Sequence, residues 1–458
     1  MEEGFLQEAK MEGKSAYLFD NKALRALIIP LLIEQLLAVM VGMADSIMIA
    51  SVGEAAVSGV SLVDNIMVLF INVFAALATG GAVVAGQYLG QKNDDFACKA
   101  ANQIVWFITI VAVGIMALIY IGKWFILHVV FGAIEADVMA HANTYLIIVT
   151  ASIPFMALYN AGAALFRAMG NSKISMQVSI IMNMINIGGN ALLIYGLHWG
   201  TEGVAIPTLL SRIIAAVLIT ALLSNQKWKL HIAKSIHYRP DWRMIRRILA
   251  IGVPNGLENS MFQLGKILVL SLVSTFGTYA IAANAVSNAV ALFQILPGMA
   301  LNLAITSVIA QCVGAGDYEQ VHYYTKKLIG VAYALIWFTN AVIFLLLPII
   351  LRVYNLSDLT AETTRQILYF HSISCMLVWP LSFSVPSTLR AAGDAQVTMV
   401  ISIASMWIFR IIFSYILGRY MGMGVFGVWV AMVIDWCFRA VCMMTRYHRG
   451  KWELKKTI

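Results

Sequence analysis

The chain has 458 residues, of which 60% are hydrophobic and only 12% are charged, and its mean hydropathy is +0.81. A soluble domain carries about 25% charged residues and cannot bury so large an apolar surface. The composition therefore excludes soluble globular, disordered and disulfide-stapled secreted proteins. A membrane protein with several spans is the class that remains.

Long stretches without Asp, Glu, Lys or Arg predict where the chain crosses the membrane. Such stretches occupy residues 100–122, 138–166, 174–201, 267–316, 328–351 and 366–389. About 20 apolar residues cross a bilayer as a helix, and the lack of strict alternation argues against a barrel. We therefore predict an all-α protein with twelve transmembrane helices, at residues 25–50, 57–85, 100–122, 138–166, 174–196, 203–224, 248–273, 279–310, 328–351, 366–389, 395–418 and 424–445.

The positive charges are sorted between the two ends of these predicted helices. Of the 31 Lys and Arg residues, 24 lie in the terminal segments and the even-numbered connections, 4 lie in the odd-numbered connections, and 3 lie within spans. Cytoplasmic loops are enriched in Lys and Arg. We therefore expect both termini to be cytoplasmic in the plasma (inner) membrane. The net charge of +8 then faces lipid head groups rather than nucleic acid.

The second half of the chain repeats the first. Five pairs of identical residues are separated by 224 positions, namely Pro30 and Pro254, Glu34 and Glu258, Gly53 and Gly277, Gln87 and Gln311, and Gly90 and Gly314. Each half holds six predicted spans, so the two copies enter from the same side, related by an axis along the membrane normal. We expect an N-lobe (25–224), a linker (225–247) and a C-lobe (248–446), with a segment at 1–24 and a tail at 447–458.

Ionisable residues inside membrane spans are costly and are functional candidates by default. The predicted spans contain five acids and three bases, which are Glu34, Asp45, Asp64, Glu258, Asp435, Arg212, Lys266 and Arg410. This balance favours a cationic substrate. Glu34 and Glu258 are either paired ligands in a central cleft or structural groups. Lys266 lies two turns beyond Glu258, where it can neutralise a carboxylate or contact a substrate. Asp435 with Arg439 and Arg410 is interpreted as a structural set of ion pairs.

Three motifs, taken in chain order, resemble the multidrug and toxic compound extrusion (MATE) family. They are Pro30 followed by Asp45 and Gly53, the sequence GQYLG at 86–90, and the sequence LFRAMGN at 165–171. The resemblance covers residues 25–445 and looks closest to the prokaryotic branch that includes the DNA-damage-inducible efflux proteins. It implies two six-helix lobes that form a V. It also implies an antiporter that exports mostly cationic, amphipathic compounds against an inward flow of protons or sodium ions.

The same resemblance implies a cation-coupling site inside the N-lobe. The family's positions on the first, fifth and sixth spans match Asp45, the pair Asn186 and Asn190, and Thr208. Asn190 departs from the family pattern, in which a carboxylate is common, so we expect Asp45 to be the only carboxylate of this pocket. One carboxylate suits a proton better than a sodium ion, although both remain open. The second half has phenylalanines in place of the two asparagines, so the site is not duplicated.

We expect a monomeric secondary transporter of small amphipathic molecules, without a resident cofactor or metal, that lies in the lipid bilayer. A lipid-linked saccharide flippase of the same wider superfamily is the alternative, and its cleft would have to be more cationic to hold a diphosphate. The chain lacks sequence motifs typical of membrane-embedded enzymes. It also lacks a P-loop sequence, so ATP is not expected to drive transport directly.

Overall fold

The computed structural model describes residues 17–132, 134–233 and 238–455, which form helices joined by turns, without a strand. The predicted terminal segment (1–24), linker (225–247) and tail (447–458) extend into residues 1–16, 234–237 and 456–458, which lie outside the described residues. Within the described ranges, twelve long helical segments confirm the predicted fold class. The N-lobe contains α1 (Asn21–Ala50), α2 (Glu54–Gly90), α3 (Asp94–Ile121), α4 (Ala136–Thr150 with Ile153–Ala168), α5 (Ser172–Gly196) and α6 (Glu202–Leu223). The C-lobe contains α7 (Trp242–Ser274), α8 (Thr278–Gly314), α9 (Tyr318–Val353), α10 (Asp358–Ala391), α11 (Ala395–Tyr420) and α12 (Gly424–His448).

Most of these helices are long and apolar enough to cross a membrane. Ten meet that condition singly in the described part of the chain, and the two pieces of α4 meet it together, with a bend of 48° between them. The bend lies just before Pro154, which cannot donate a backbone hydrogen bond. Helix α7 completes the set with 33 residues and carries Glu258 and Lys266. The chain is a multi-pass membrane protein.

Several helices begin earlier than the apolar runs predicted. The observed starts are Asp94 instead of 100 for α3, Trp242 instead of 248 for α7, Tyr318 instead of 328 for α9, and Asp358 instead of 366 for α10. Side chains of Asn93, Asp241 and Asp317 accept hydrogen bonds from backbone N–H groups of the first turns that follow them. Apolar content marks the stretch within the hydrocarbon, whereas these caps mark where the helix begins.

Helices α5 and α11 are equivalent in the repeat, and both contain π-helical turns. These turns lie at Leu192–Gly196 in α5 and at Met406–Ile412 and Tyr415–Tyr420 in α11. Single π-helical turns within α-helices are often found at functional sites. The turn in α5 begins two residues after Asn190, and the first turn in α11 contains Arg410.

The two lobes pack tightly at one end of the bundle. We call it the basic end, and it carries the loops at 91–93, 169–171, 315–317 and 392–394. A Cβ atom on Gly90 would lie 2.0 Å from the carbonyl oxygen of Gln311, and one on Gly314 would lie 1.9 Å from that of Gln87. Only glycine permits the backbones of α2 and α8 to approach so closely. The repeat of these glycines therefore reflects a contact between lobes.

Two equivalent hydrogen bonds tie the lobes together at the basic end. The Nε2 atom of Gln87 donates to the carbonyl oxygen of Ala391 at 2.8 Å, and that of Gln311 donates to the carbonyl oxygen of Ala168 at 2.6 Å. Each bond runs from α2 or α8 to the last residue of α4 or α10 in the opposite lobe. The bonds hold the bundle closed at this end, and they join equivalent positions of the two halves of the sequence repeat.

Candidate functional site

The four residues predicted to form a coupling site lie together inside the N-lobe, in one hydrogen-bonded series. Asn190 on α5 donates through Nδ2 to Asp45 Oδ1 on α1 at 2.6 Å and, more weakly, to Asn186 Oδ1 at 3.4 Å. Asn186 Nδ2 in turn donates to Thr208 Oγ1 on α6 at 3.0 Å. The hydroxyl of Thr208 donates to the carbonyl oxygen of Val204 at 2.8 Å. Three helices therefore contribute to one polar cluster.

The local sequence explains why α5 and α6 come close enough to build this cluster. Asn186 and Asn190 are four residues apart and share one helix face. Between them, Gly189 faces Pro207 of α6, and a Cβ atom on Gly189 would lie 2.7 Å from the proline ring. The missing side chain lets α5 pack against α6 directly beside Thr208. A glycine and a proline thus set the distance between the amide pair and the hydroxyl group.

The cluster combines one accessible carboxylate with buried amide oxygens. Asp45 is partly buried, whereas Asn186, Asn190 and Thr208 are buried. Asn190 is completely buried, and in the described part of the chain its Oδ1 atom has no hydrogen-bond partner. A buried acceptor without a partner is costly. The cluster can hold a proton on Asp45, or it can offer carboxylate, amide and hydroxyl oxygens to a cation.

Asp45 is not the only carboxylate of this region, which corrects the expectation from the sequence. Asp64 on α2 and Arg212 on α6 both lie within electrostatic range of Asp45. Tyr145 on α4 donates through its hydroxyl group to Asp64 Oδ1 at 2.9 Å, and Arg212 Nη1 donates to Ser152 Oγ at 2.7 Å. The expectation failed because residue 190 was taken as the only position able to supply a second carboxylate. The structure supplies it from α2 instead.

Glu34 and Glu258 occupy equivalent places, each bound to the arginine of its own lobe. Arg167 Nη1 donates to Glu34 Oε1 at 3.1 Å, and Arg390 Nη1 donates to Glu258 Oε2 at 3.0 Å. Ser175 adds a hydrogen bond of 2.8 Å to Glu34. Both carboxylates are buried, and each paired arginine directly precedes the alanine that accepts a glutamine hydrogen bond between the lobes. Each glutamate therefore forms an ion pair with an arginine of its own lobe.

The predicted cleft residues do not all face the same space. Glu258 and Lys266 line a cavity of about 380 Å³ within the C-lobe, whereas Glu34 is not among its lining residues. Arg410 and Arg439 line the same cavity, although the sequence suggested only structural ion pairs for them. Their spacing along the chain gave no sign of this, because they come from two helices that meet only in the folded protein.

The described residues contain no group of three or more His, Cys, Asp and Glu side chains able to hold a metal ion. Asp45 and Asp64 are accompanied by amide, hydroxyl and guanidinium groups. This donor set is unlike a transition-metal site, which is typically built from His and Cys. Its oxygens are suited to a proton or a weakly held alkali ion.

Comparison with known proteins places the chain among membrane transporters. The MatE family model matches residues 30–192 and again residues 254–416, with starts 224 residues apart. The uncharacterized transporter YisQ of Bacillus subtilis is 25% identical over 434 residues, which cover 93% of this chain and 94% of that protein. The probable multidrug resistance protein NorM of Thermotoga maritima is 23% identical over 450 residues, or 96% and 94% of the two chains. An outward-facing structure of a multidrug resistance MATE family transporter of the MOP superfamily aligns with a TM-score of 0.85 at 21% identity, over 94% of this chain and 95% of that one.

Proposed function

The chain belongs to the MatE family, and from that premise we propose that it is a secondary active antiporter that exports small amphipathic molecules in exchange for inward-moving protons or sodium ions. The observation that carries this proposal is the hydrogen-bonded series of Asp45, Asn190, Asn186 and Thr208, which lies inside one lobe of a membrane bundle. A polar series of this kind is costly inside a membrane, and for that reason it marks a functional site by default. The series lies in the N-lobe, apart from the C-lobe cavity. A coupling ion bound there would change how the N-lobe helices pack and would not contact the substrate.

Protons are the coupling ion in this proposal, and sodium is the alternative. A proton needs a single carboxylate that can exchange with solvent, and the partly buried Asp45 meets that need. A sodium ion benefits from several oxygens and a net negative charge. Asp64 supplies a second negative charge, but Arg212 lies within range of both carboxylates and offsets it. The net charge of the cluster therefore favours the proton.

The basic end faces the cytoplasm in this proposal, as the distribution of Lys and Arg favours. The lobes are then closed toward the cytoplasm by the two glutamine hydrogen bonds. Alternating access requires these contacts to break when the opposite end closes. Both termini are cytoplasmic in this proposal, and the protein works as a monomer in the plasma membrane.

One observation favours a second candidate function, that of a lipid-linked saccharide flippase. Such a protein needs a cationic cleft to hold a diphosphate, and the C-lobe cavity is lined by Lys266, Arg410 and Arg439 as well as Arg390. The coupling cluster in the N-lobe favours the antiporter over the flippase as the leading proposal.

Transport by the purified protein in proteoliposomes tests the proposal, with each ion gradient imposed separately. Ethidium serves as the cargo because its charge is permanent and does not respond to pH. We expect ethidium to accumulate in the more acidic compartment when only a pH gradient is present. Accumulation driven by sodium at constant pH, with protons equilibrated by an ionophore, would assign the coupling to sodium. If neither gradient drives accumulation of ethidium or of an anionic dye, the antiport proposal fails.

A further inference from the structure

A cavity of about 380 Å³ lies within the C-lobe, where α7, α8, α10, α11 and α12 face one another and Asn72 of α2 reaches its edge. A second cavity of about 310 Å³ shares Lys266, Arg410 and Trp429 with the first. Pockets of this size hold drug-sized organic molecules. The two cavities together offer more space than a single coupling ion needs.

Most ionisable groups that line the larger cavity are cations. The ionisable groups are Glu258, Lys266, His371, Arg390, Arg410 and Arg439, and the lysine and the three arginines are the cations. Arg390 binds Glu258 at 3.0 Å, so these two charges cancel. Behind the wall, Asp435 Oδ1 lies 3.8 Å from Arg439 Nη2 and offsets one more cation. Two positive charges remain in excess. The count of acids and bases along the chain favoured cationic cargo, but it did not show that the bases gather in one cavity.

Arg439 has hydrogen-bond donors that the rest of the described chain does not use. Its side chain is only 2% exposed, and neither Nε nor Nη2 has a hydrogen-bond partner among the described residues. The 3.8 Å separation from Asp435 is an ion pair without a hydrogen bond. A buried guanidinium group is costly unless acceptors satisfy it. An anionic group of a ligand in the cavity would offset this buried charge.

The three cations surround a single aromatic ring. The Nζ atom of Lys266 lies 5.8 Å from the centre of the Phe262 ring, and the Cζ atoms of Arg410 and Arg439 lie 5.0 and 5.3 Å from it. The ring face eases the burial of each cation but does not cancel its charge. Gathering like charges at one place within a membrane protein is favourable only when an anion joins them. Trp429 and other aromatic side chains of the wall offer flat apolar surfaces beside the charges.

This cationic group belongs to the C-lobe alone. At the offset of the repeat, Lys266 corresponds to Gly42, Arg410 to Ile187 and Arg439 to Ala215. Conversely, the position equivalent to Asp45 in the C-lobe is Val269, and that equivalent to Thr208 is Met432. The two lobes therefore carry opposite chemistry on equivalent helices. This division suits one lobe that binds a cation and another that binds an anionic cargo.

We propose that the C-lobe cavity binds amphipathic organic anions. The carboxylate, sulfonate or phosphate head group lies among Lys266, Arg410 and Arg439, and the apolar body packs against Phe262 and Trp429. The inference rests on the proposed export function and names the class of its cargo. It adds an anionic class of cargo to the cationic cargo that was expected from the charge count.

Binding of fluorescein and of its methyl ester to the purified protein tests the inference. The two dyes share one aromatic body and differ by one carboxylate. We expect fluorescence anisotropy to show fluorescein binding about tenfold more tightly than the ester, because a buried charge-assisted hydrogen bond is worth about that factor. Arg410→Gln and Lys266→Gln should each remove most of this preference. Arg352→Gln, at an exposed arginine outside the cavity, should leave it unchanged.

Each outcome decides a separate point. Equal affinity for the two dyes, or a preference that both cavity variants retain, overturns the anion site. If that happens while a gradient still drives ethidium transport, the export function stands without the anion site. If the anion preference is found but no gradient drives any transport, the export function fails and the site remains. Competition by short-chain phosphatidic acid, and not by an aromatic carboxylate such as naphthoate, would assign the anion site to lipid phosphate. The reverse order would assign it to soluble anions.

Discussion

Replacing Asp45 with asparagine removes the carboxylate of the N-lobe cluster and changes little else. The amide is nearly isosteric, and its oxygen can still accept the hydrogen bond that Asn190 now donates at 2.6 Å. A bond to a charged acceptor becomes a bond to a neutral one, which costs on the order of 1 kcal/mol. The variant should therefore fold and insert. What it loses, under the proposed function, is the group that takes up and releases the coupling ion.

The expected size of the effect follows from the driving force. A pH gradient of about one unit stores about 1.4 kcal/mol per proton, enough for a roughly tenfold concentration ratio of a cargo exchanged one for one without net charge movement. In proteoliposomes the unmodified protein should approach that ratio, whereas Asp45→Asn should bring the two sides close to equality. Asp358→Asn, at an exposed acid outside the cluster, is the matched control and should behave as the unmodified protein does. A full ratio in Asp45→Asn would refute the reasoning and move the coupling role to Asp64.

Three further predictions concern other parts of the molecule. Asn190→Asp adds a negative charge beside Asp45 and should create or strengthen a dependence on sodium, measured as dye accumulation against sodium concentration at fixed pH; an unchanged dependence would argue that residue 190 does not contact the ion. Gly314→Ala places a Cβ atom 1.9 Å from a carbonyl oxygen of the other lobe, which should destabilise the closed basic end by about 1–3 kcal/mol and open it. The opening is measured as faster labelling of a cysteine placed in the cavity. Gly330→Ala has open space around it and should not change the labelling rate. Outside the membrane, a lysine side chain and backbone N–H groups hold the pKa of Asp241 below its ordinary value. Its stabilising contribution should therefore be complete above about pH 3.9 and fall away as the pH drops through the lowered pKa, so that thermal melts of Asp241→Asn and the unmodified protein differ at pH 7 and converge in acid.

The sequence predicted the architecture well because membrane spans and repeats leave direct traces in a single chain. Long apolar runs predicted twelve helices, and a constant offset predicted two lobes. The helix starts were less accurate, as α9 shows by beginning ten residues before its apolar run. Its first turns are polar and capped by Asp317, and hydropathy does not register a helix outside the hydrocarbon.

The two polar sites differed in how far the sequence could reach. Asn186 and Asn190 lie one turn apart on one helix, so their proximity follows from local geometry. Asp64 and Arg212 come from separate helices, and their approach to Asp45 depends on how α2 and α6 pack. The C-lobe cations present the same difficulty, because a total of acids and bases contains no information about which cavity each one faces.

In the proposed mechanism, the N-lobe couples transport to an ion while the C-lobe holds the cargo. Simultaneous measurement of proton and fluorescein fluxes in the same vesicles, for Asp45→Asn and for Arg410→Gln, tests it most directly. We expect Asp45→Asn to bind fluorescein normally but to move it without proton exchange. Arg410→Gln should keep proton exchange with ethidium while losing fluorescein transport. If both variants lose proton exchange, or if both lose fluorescein binding, the two sites are not separate. The division of roles between the lobes is then wrong.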